Sequence, residues 1–509
     1  MSVNELAIDT ATTLGAVRID GQRRLATLPV EVYMLILDEI HGDANNESSV
    51  AYKETLSNLN LVCRLFANLV TPKLFARLTF ASPLPKELKR THGARTAWLK
   101  DLAQGDKAAA EIAAMVRELD LHGCTPPDGG RHHAATEAPS WRHGQIITYF
   151  ANLRSLTLVQ TVITQEFFAS TKPLLCLHSL SIRHCSFAPP TGRCQLLQCS
   201  LKLEHFDAIL VDGVDPYVPT LSSLVRGSPL RSLRVTEWPL AQAILQGTPA
   251  SHLEQLEIHF DPHDSAVLFR FLASASSISD LSLVSMPDES TLSQATPSKI
   301  TLPNLKTLRC PLNLLPILFP GGAVSRLSVV DICDWFSPSP HADGRLLTPL
   351  QHSQLRELEI PAWVFYHYPV HRYAPSLVNL VICFDLFTYN TPLEQVVRDI
   401  CSVGRISKLT SLDLRFVGAV WKLNLRLQHK MIAQHLMHAC PAARRISFDD
   451  AIDWQREPSS SKWRPLIRAR EPIKALLRTQ PNIQDIMQVT DYEGTFAGIL
   501  GKDIDLVQV

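Results

Sequence analysis

No apolar run in this chain of 509 residues reaches the length of about 18 that suggests a membrane span. Charge of one sign is missing too. Lys plus Arg is 49 and Asp plus Glu is 49. That balance speaks against a general nucleic-acid binder or an acidic-membrane binder. The opening residues, MSVNELAIDTATT, lack the basic and apolar regions of a secretion signal. The 11 cysteines are scattered from Cys63 to Cys440 with no C-x-x-C pair. An odd, dispersed set fits reduced thiols in the cytoplasm or nucleus better than a disulfide framework. Catalytic signatures are also lacking: no H-E-x-x-H, G-x-S-x-G or G-x-G-x-x-G occurs. Gly501-Lys502 hints at a phosphate loop, but Phe496 stands where glycine is needed and Asp503 where Ser or Thr is needed. His259, Asp261 and His263 in HFDPHD could converge on a metal, yet the stretch reads more simply as the polar exit of a strand. The expectation is a non-catalytic chain with no metal and no cofactor.

What is present is a rhythm. From residue 116 onward, apolar-x-x-apolar-x-apolar recurs thirteen times, as in VRELDL, LRSLTL, LEQLEI, LRELEI and ARRISF. The middle apolar residues run from Leu119 to Ile446, about 27 residues apart on average, with gaps of 19 to 37. The last two apolar residues of each copy alternate as on a strand and point inward. Segments between copies, such as PLAQAILQG and SAVLFRFLAS, read as return helices. One strand-helix unit cannot bury its own apolar face, so the units must stack. The fold class expected is mixed α/β: an irregular, curved leucine-rich-repeat solenoid with strands on its concave face. Asn or Cys commonly follows in this repeat type, but only Cys124, Cys185 and Asn313 hold that place. The turns therefore need another source of order. Loops are expected at 125–144, 334–344 and 455–463.

The front of the chain is different. LPVEVYMLILDEI (28–40) on a helix puts Val30, Val32, Tyr33, Met34, Ile36, Leu37 and Ile40 in an arc of about 200°. Leu35 lies among the polar positions. TLSNLNLVCRLFANLVTPKLFARLTF (55–80) carries a comparable arc as one helix or two, with Pro72 marking a break. Helix packing on one core needs an apolar stripe of only about 100° or more, and a block of this size buries only about 60% of its unfolded surface. The surplus must be covered by the repeats, by another protein, or by both.

Leu28, Pro29, Glu31, Val32, Ile36, Leu37 and Ile40, followed by Leu56, Leu59, Val62, Cys63, Arg64 and Phe66, resemble the F-box. The long polar link HGDANNESSVAYKE, and Phe66 where tryptophan is commoner, look like fungal members of that family. The resemblance implies a small all-helical F-box at 25–80, after a flexible leader at 1–24. A helical linker at 81–115, repeats at 116–452 and a C-terminal cap at 453–509 follow. It also implies a partner, a Skp-family adaptor that docks on a cullin scaffold carrying a RING protein, with the repeats holding a protein substrate for ubiquitin transfer. Carried over by motif, Leu28, Pro29, Val32, Ile36, Leu37, Val62, Cys63 and Phe66 become adaptor-binding candidates; the alternative for each is a place in the block's own core. A binding scaffold of the same build, acting without ubiquitination, is the second reading.

The residues between the inward leucines would line the concave face. Asp120, Asp207, Glu257, Glu359 and Asp413 are acidic there, and Arg234 and Arg309 are basic. A mixed, mildly acidic face disfavours nucleic acid and favours a protein segment with some Lys or Arg. Arg234, Glu257, Arg309, Glu359 and Asp413 are the substrate-binding candidates.

Overall fold

The computed structural model describes residues 29–40, 50–81, 97–123, 144–164, 167, 171, 174–189, 201–261, 264–285, 300–319, 324–329, 347–352, 354–384, 391–416, 424–448, 452–458, 461–468, 473 and 492–495. Two compact units divide the chain, Met1–Ser228 and Pro229–Val509. Both are mixed α/β with mostly parallel sheets. Among the described residues no helix is long and apolar enough to cross a membrane.

The first unit opens with three helices, α1 (Val30–Ile40), α2 (Val50–Asn60) and α3 (Arg64–Phe75). The break falls at Leu61–Cys63, and Pro72 lies inside the last turn of α3 rather than ending it. Its missing N–H leaves Asn68 C=O without the i→i−4 bond it would otherwise accept. The expected all-helical block to residue 80 needs correction: Arg77–Ala81 is a strand, β1. FARLTF carries the same apolar spacing as the later copies, and Leu78 sits opposite Leu119. The sheet thus begins one strand before residue 116. Helical residues 97–103 and α4 (Lys107–Met115) follow. Gly105 takes a left-handed turn between them, and Asp106 caps α4 by accepting from Ala109 N–H at 2.8 Å.

Strands β2 (Glu118–His122), β3 (Ser155–Val159), β5 (Ser179–Arg183) and β7 (His205–Ile209) continue the parallel order from β1. The short β4 (Val162–Ile163) and β6 (Ser186–Phe187) pair with each other. Leu119, Leu156, Leu180 and Phe206 stand in one register line, all buried. The turns after these strands repeat one backbone state: Gly123, Gln160, His184 and Leu210, each two residues past the strand's second buried side chain, have φ between 51° and 65°. For the three non-glycines that state costs about 1–2 kcal/mol each. The next residue offsets it in two repeats. Thr161 Oγ1 donates to Val159 O at 3.1 Å, and Cys185 Sγ donates to Leu158 O and Arg183 O at 3.4 and 3.3 Å. Threonine and cysteine thus hold turns where asparagine was expected and not found; Cys124 lies outside the described residues. After β7 the unit ends with α5 (Val218–Val225).

The second unit runs β8 (Ser232–Val235), β9 (Gln255–Phe260), β10 (Asp280–Ser285), β11 (Thr307–Cys310), β12 (Arg326–Val329), β13 (Glu357–Pro361), β14 (Asn379–Phe384), β15 (Ser411–Phe416) and β16 (Arg445–Ser447), each parallel to the next. All thirteen copies of the sequence rhythm, counted over both units, are strands. PLAQAILQG lies in α6 (Trp238–Gly247), which buries Leu240, Ala241, Ile244 and Leu245 on one face. SAVLFRFLAS becomes α7 (Ala266–Ser274), burying Leu268, Phe269, Phe271 and Leu272.

One hydrogen-bond pattern sets the register throughout. Within each unit, the carbonyl two residues before the middle apolar residue accepts two N–H groups of the next parallel copy. Arg231 O takes Glu254 and Gln255, Glu254 O takes Ser279 and Asp280, and Ser279 O takes Lys306 and Thr307, at 2.8–3.1 Å. Because this contact is made at the strand's entry, the spacing from one copy to the next can vary from 19 to 37 residues without disturbing the stack.

The parallel order ends at β16. β17 (Ile452–Arg456) pairs antiparallel with it, and β18 (Trp463–Ile467) pairs antiparallel with β17. The loop expected at 455–463 is therefore largely the end of a hairpin, with Gln455, Arg456 and Trp463 inside strands. Pro458 and Ser461 lie between the two strands, and Ser459 and Ser460 lie outside the described residues. Trp454 is fully buried and donates Nε1–H to Gln428 Oε1 at 2.7 Å. Of the expected C-terminal cap, residues 473–489 lie outside the described residues except Ile473, and so does the loop 334–344.

Candidate docking face and outward row

In the helical block, Leu37, Leu56 and Val70 are fully buried together, with Tyr52, Leu59, Leu69 and Leu74 packed around them. One residue from each helix supplies this small core. Tyr33 of α1 meets Phe66 of α3 edge-on, ring centroids 5.6 Å apart. Beside these contacts the block leaves large apolar side chains in water. Leu35 is 67% exposed, Ile36 49%, Leu61 81% and Val62 64%, and Met34 is also exposed.

The adaptor-binding candidates therefore divide. Ile36, Val62 and Cys63 are exposed, and so is Pro29, which precedes α1 and accepts from Val32 N–H at 3.0 Å. Val32 and Phe66 are half-buried. Leu37 corrects the expectation: at 1% exposure it belongs to the internal core. Its wheel position beside Ile36 could not show which edge of a 200° arc turns inward. Leu28 lies outside the described residues. Sequence reasoning missed Leu35 and Leu61. Leu35 had given a signal, an apolar residue alone on the polar side of the wheel.

In the second unit the five substrate-binding candidates lie in one register row across the sheet face opposite the leucines. The row reads Arg234, Glu257, Ser282, Arg309, Ser328, Glu359, Val381 and Asp413 from β8 to β15. The acidic members are not presented as free carboxylates. Arg234 Nε is 3.3 Å from Glu257 Oε2. Arg415 Nη1 reaches Glu359 Oε1 at 2.9 Å, and its Nε reaches Asp413 Oδ2 at 3.3 Å. In the first unit Arg77 holds Asp120 at 3.1 Å and Arg183 holds Asp207 at 2.7 Å. The mildly acidic face inferred from sequence is corrected accordingly. Arginines at other outward positions of the same sheets neutralise it, and alternation places Arg415, two residues after Asp413, on the same side. That period was the available signal.

The row's ionisation follows from these neighbours. Burial, and then Glu359, pushes the Cys383 thiol up to about 12; its Sγ lies 3.6 Å from Glu359 Oε1. Burial works against the Arg415 charge, but Glu359 and Asp413 outweigh it and raise its pKa. Burial lowers His259, with Glu257 opposing and Arg309 assisting. Of the metal candidates, His259 and Asp261 are half-buried at the end of β9, and His263 lies outside the described residues. No group of three His, Cys, Asp or Glu among the described residues is placed to hold a metal. No protein-family model matches this chain, and no curated protein matches it.

Proposed function

We propose that this chain is a non-catalytic substrate-recognition subunit of a cullin-RING ubiquitin ligase. On this reading the helical block is an F-box that docks on a Skp-family adaptor. The parallel-strand array is a leucine-rich-repeat solenoid that holds a protein substrate, in the cytoplasm, the nucleus or both. Transfer then needs no reactive group from this chain, only the substrate's lysine kept near a charged conjugating enzyme.

The observation that carries the reading is the helical block's exposed apolar surface. Leu35, Ile36, Leu61 and Val62 lie in water on a block whose own core has three fully buried residues. They form two exposed apolar pairs, Leu35–Ile36 on α1 and Leu61–Val62 between α2 and α3, and exposed apolar surface of this kind marks interaction sites where it is contiguous. Burying a side chain such as Leu or Ile completely is worth about 1.5–3 kcal/mol, so four of them can supply most of a stable docking. The F-box-like register of the same segment names the partner.

Co-expression of the intact chain with a Skp-family adaptor tests this, beside a deletion of residues 1–80 and a Leu35→Asp, Leu61→Asp double variant. Capture by the intact chain and loss in both variants is expected. An intact chain that stays soluble and monomeric beside the adaptor overturns the reading.

A further inference from the structure

Arg309 stands apart in the outward row of the second unit. It is exposed, and among the described residues it makes no ion pair. Its direct register neighbours are Ser282 and Ser328, which carry no charge. The nearest carboxylates along the row, Glu257 and Glu359, are each two strands away, about 10 Å at the usual strand spacing; Asp280, diagonally opposite on β10, accepts from Ser279 Oγ and makes no ion pair with Arg309. Both are engaged on their far sides, Glu257 by Arg234 and Glu359 by Arg415. The row therefore pairs its acids with other arginines and leaves one guanidinium unneutralised at its centre. The register neighbour Ser282 has an Oγ that is screened from water and makes no hydrogen bond among the described residues.

Resting on the reading of this array as a substrate-holding surface, we infer that Arg309 receives an anionic side chain of a protein segment, a carboxylate or a phosphate. Guanidinium matches both by paired N–H donors. Charge complementarity selects this occupant. A lysine or arginine of the segment would meet only carboxylates that are already ion-paired, and would be repelled by Arg309.

The test uses the intact chain and four pools of fluorescent dodecapeptides with randomised flanks, differing only in a central Glu, phosphoserine, Ser or Lys. Binding is read by anisotropy. A Glu or phosphoserine pool should bind about tenfold tighter than the Ser pool, the scale of one charged hydrogen-bond pair; whichever is tighter names the anion. Arg309→Gln should abolish the difference. Lys306→Gln, the same loss of charge on an exposed neighbour, should keep it. Equal binding of all pools, preference for the Lys pool, or a difference that survives Arg309→Gln overturns the inference. Adaptor capture is measured on the same preparations. A chain that captures adaptor but shows no anion preference overturns this inference alone. Anion preference without adaptor capture overturns the ligase reading alone.

Discussion

Ile36 and Leu37 are adjacent on α1 and should fail in opposite ways. Leu37 is 1% exposed and shares a core in which, among the described residues, only Leu56 and Val70 are fully buried companions. Truncating it to alanine removes buried methyl and methylene groups and leaves a cavity. Such changes cost about 2–5 kcal/mol, and a small block has few other contacts to absorb the loss. Ile36 is half-exposed. Its outer half is worth about 1 kcal/mol if an adaptor covers it, or about fivefold in Kd. Ile36→Asp adds the desolvation of a carboxylate and should weaken capture well beyond tenfold. Two readouts separate the cases: amide hydrogen exchange over α1–α3, and adaptor affinity by surface plasmon resonance. Leu37→Ala should speed exchange across all three helices and weaken capture only through unfolding. Ile36→Asp should leave exchange near wild type and abolish capture. Unchanged protection in Leu37→Ala would refute the assignment of that residue to the core. Unchanged affinity in Ile36→Asp would refute the docking face.

Asp453 is almost fully buried and held by Arg445 at 3.0 and 3.2 Å and by Arg468 at 3.3 Å. Asp453→Ala should cost about 1–3 kcal/mol in urea unfolding, below the usual toll of breaking a buried pair, because both arginines stay hydrated. Cys383 and Cys440 are both pushed up to about 12, first by burial, whereas Cys63 is exposed. Iodoacetamide at pH 8 followed by mass spectrometry should label Cys63 in the native chain long before either. Burial lowers the pKa of His429, whose ring packs against Trp454 and Tyr492 with centroids 5.4 and 4.5 Å away. A depressed folded pKa means the unfolded chain binds the proton more readily, so the contribution is complete above about pH 6.5 and is lost as pH falls through the lower folded value. Thermal melts at pH 7.5 and 5.5 should show a drop that is smaller in His429→Gln.

The strands were legible because their signal is local. Two inward apolar residues at period 2 need only five or six residues, and every copy of the pattern became a strand. β1 was missed although FARLTF obeys the same spacing, because its position after an amphipathic helix assigned it to that helix. The hairpin of β17 and β18 was missed for the opposite reason. IDWQR and WRPLI lack the leucine spacing, and their order comes from pairing with β16 and from the buried Trp454.

The outward register row was legible in position but not in charge. Counting Asp120, Asp207, Glu257, Glu359 and Asp413 along one line gave an acidic face, because the count stopped at the central outward residue of each strand. A sheet face is two-dimensional. Side chains two residues along the same strand, and those on the next strand, reach the same point. Arg77, Arg183 and Arg415 stand at those places and neutralise carboxylates that the one-dimensional reading left free. The same geometry explains why Arg309 is different. Serines hold both adjacent register positions, and the carboxylates beyond them are turned toward other arginines. A repeat array read one position per copy therefore reports composition, whereas recognition depends on which charges remain after neighbours in both directions have paired. On that basis the row's character changes from acidic to locally cationic, and the partner inferred for it changes from a basic segment to an anionic one.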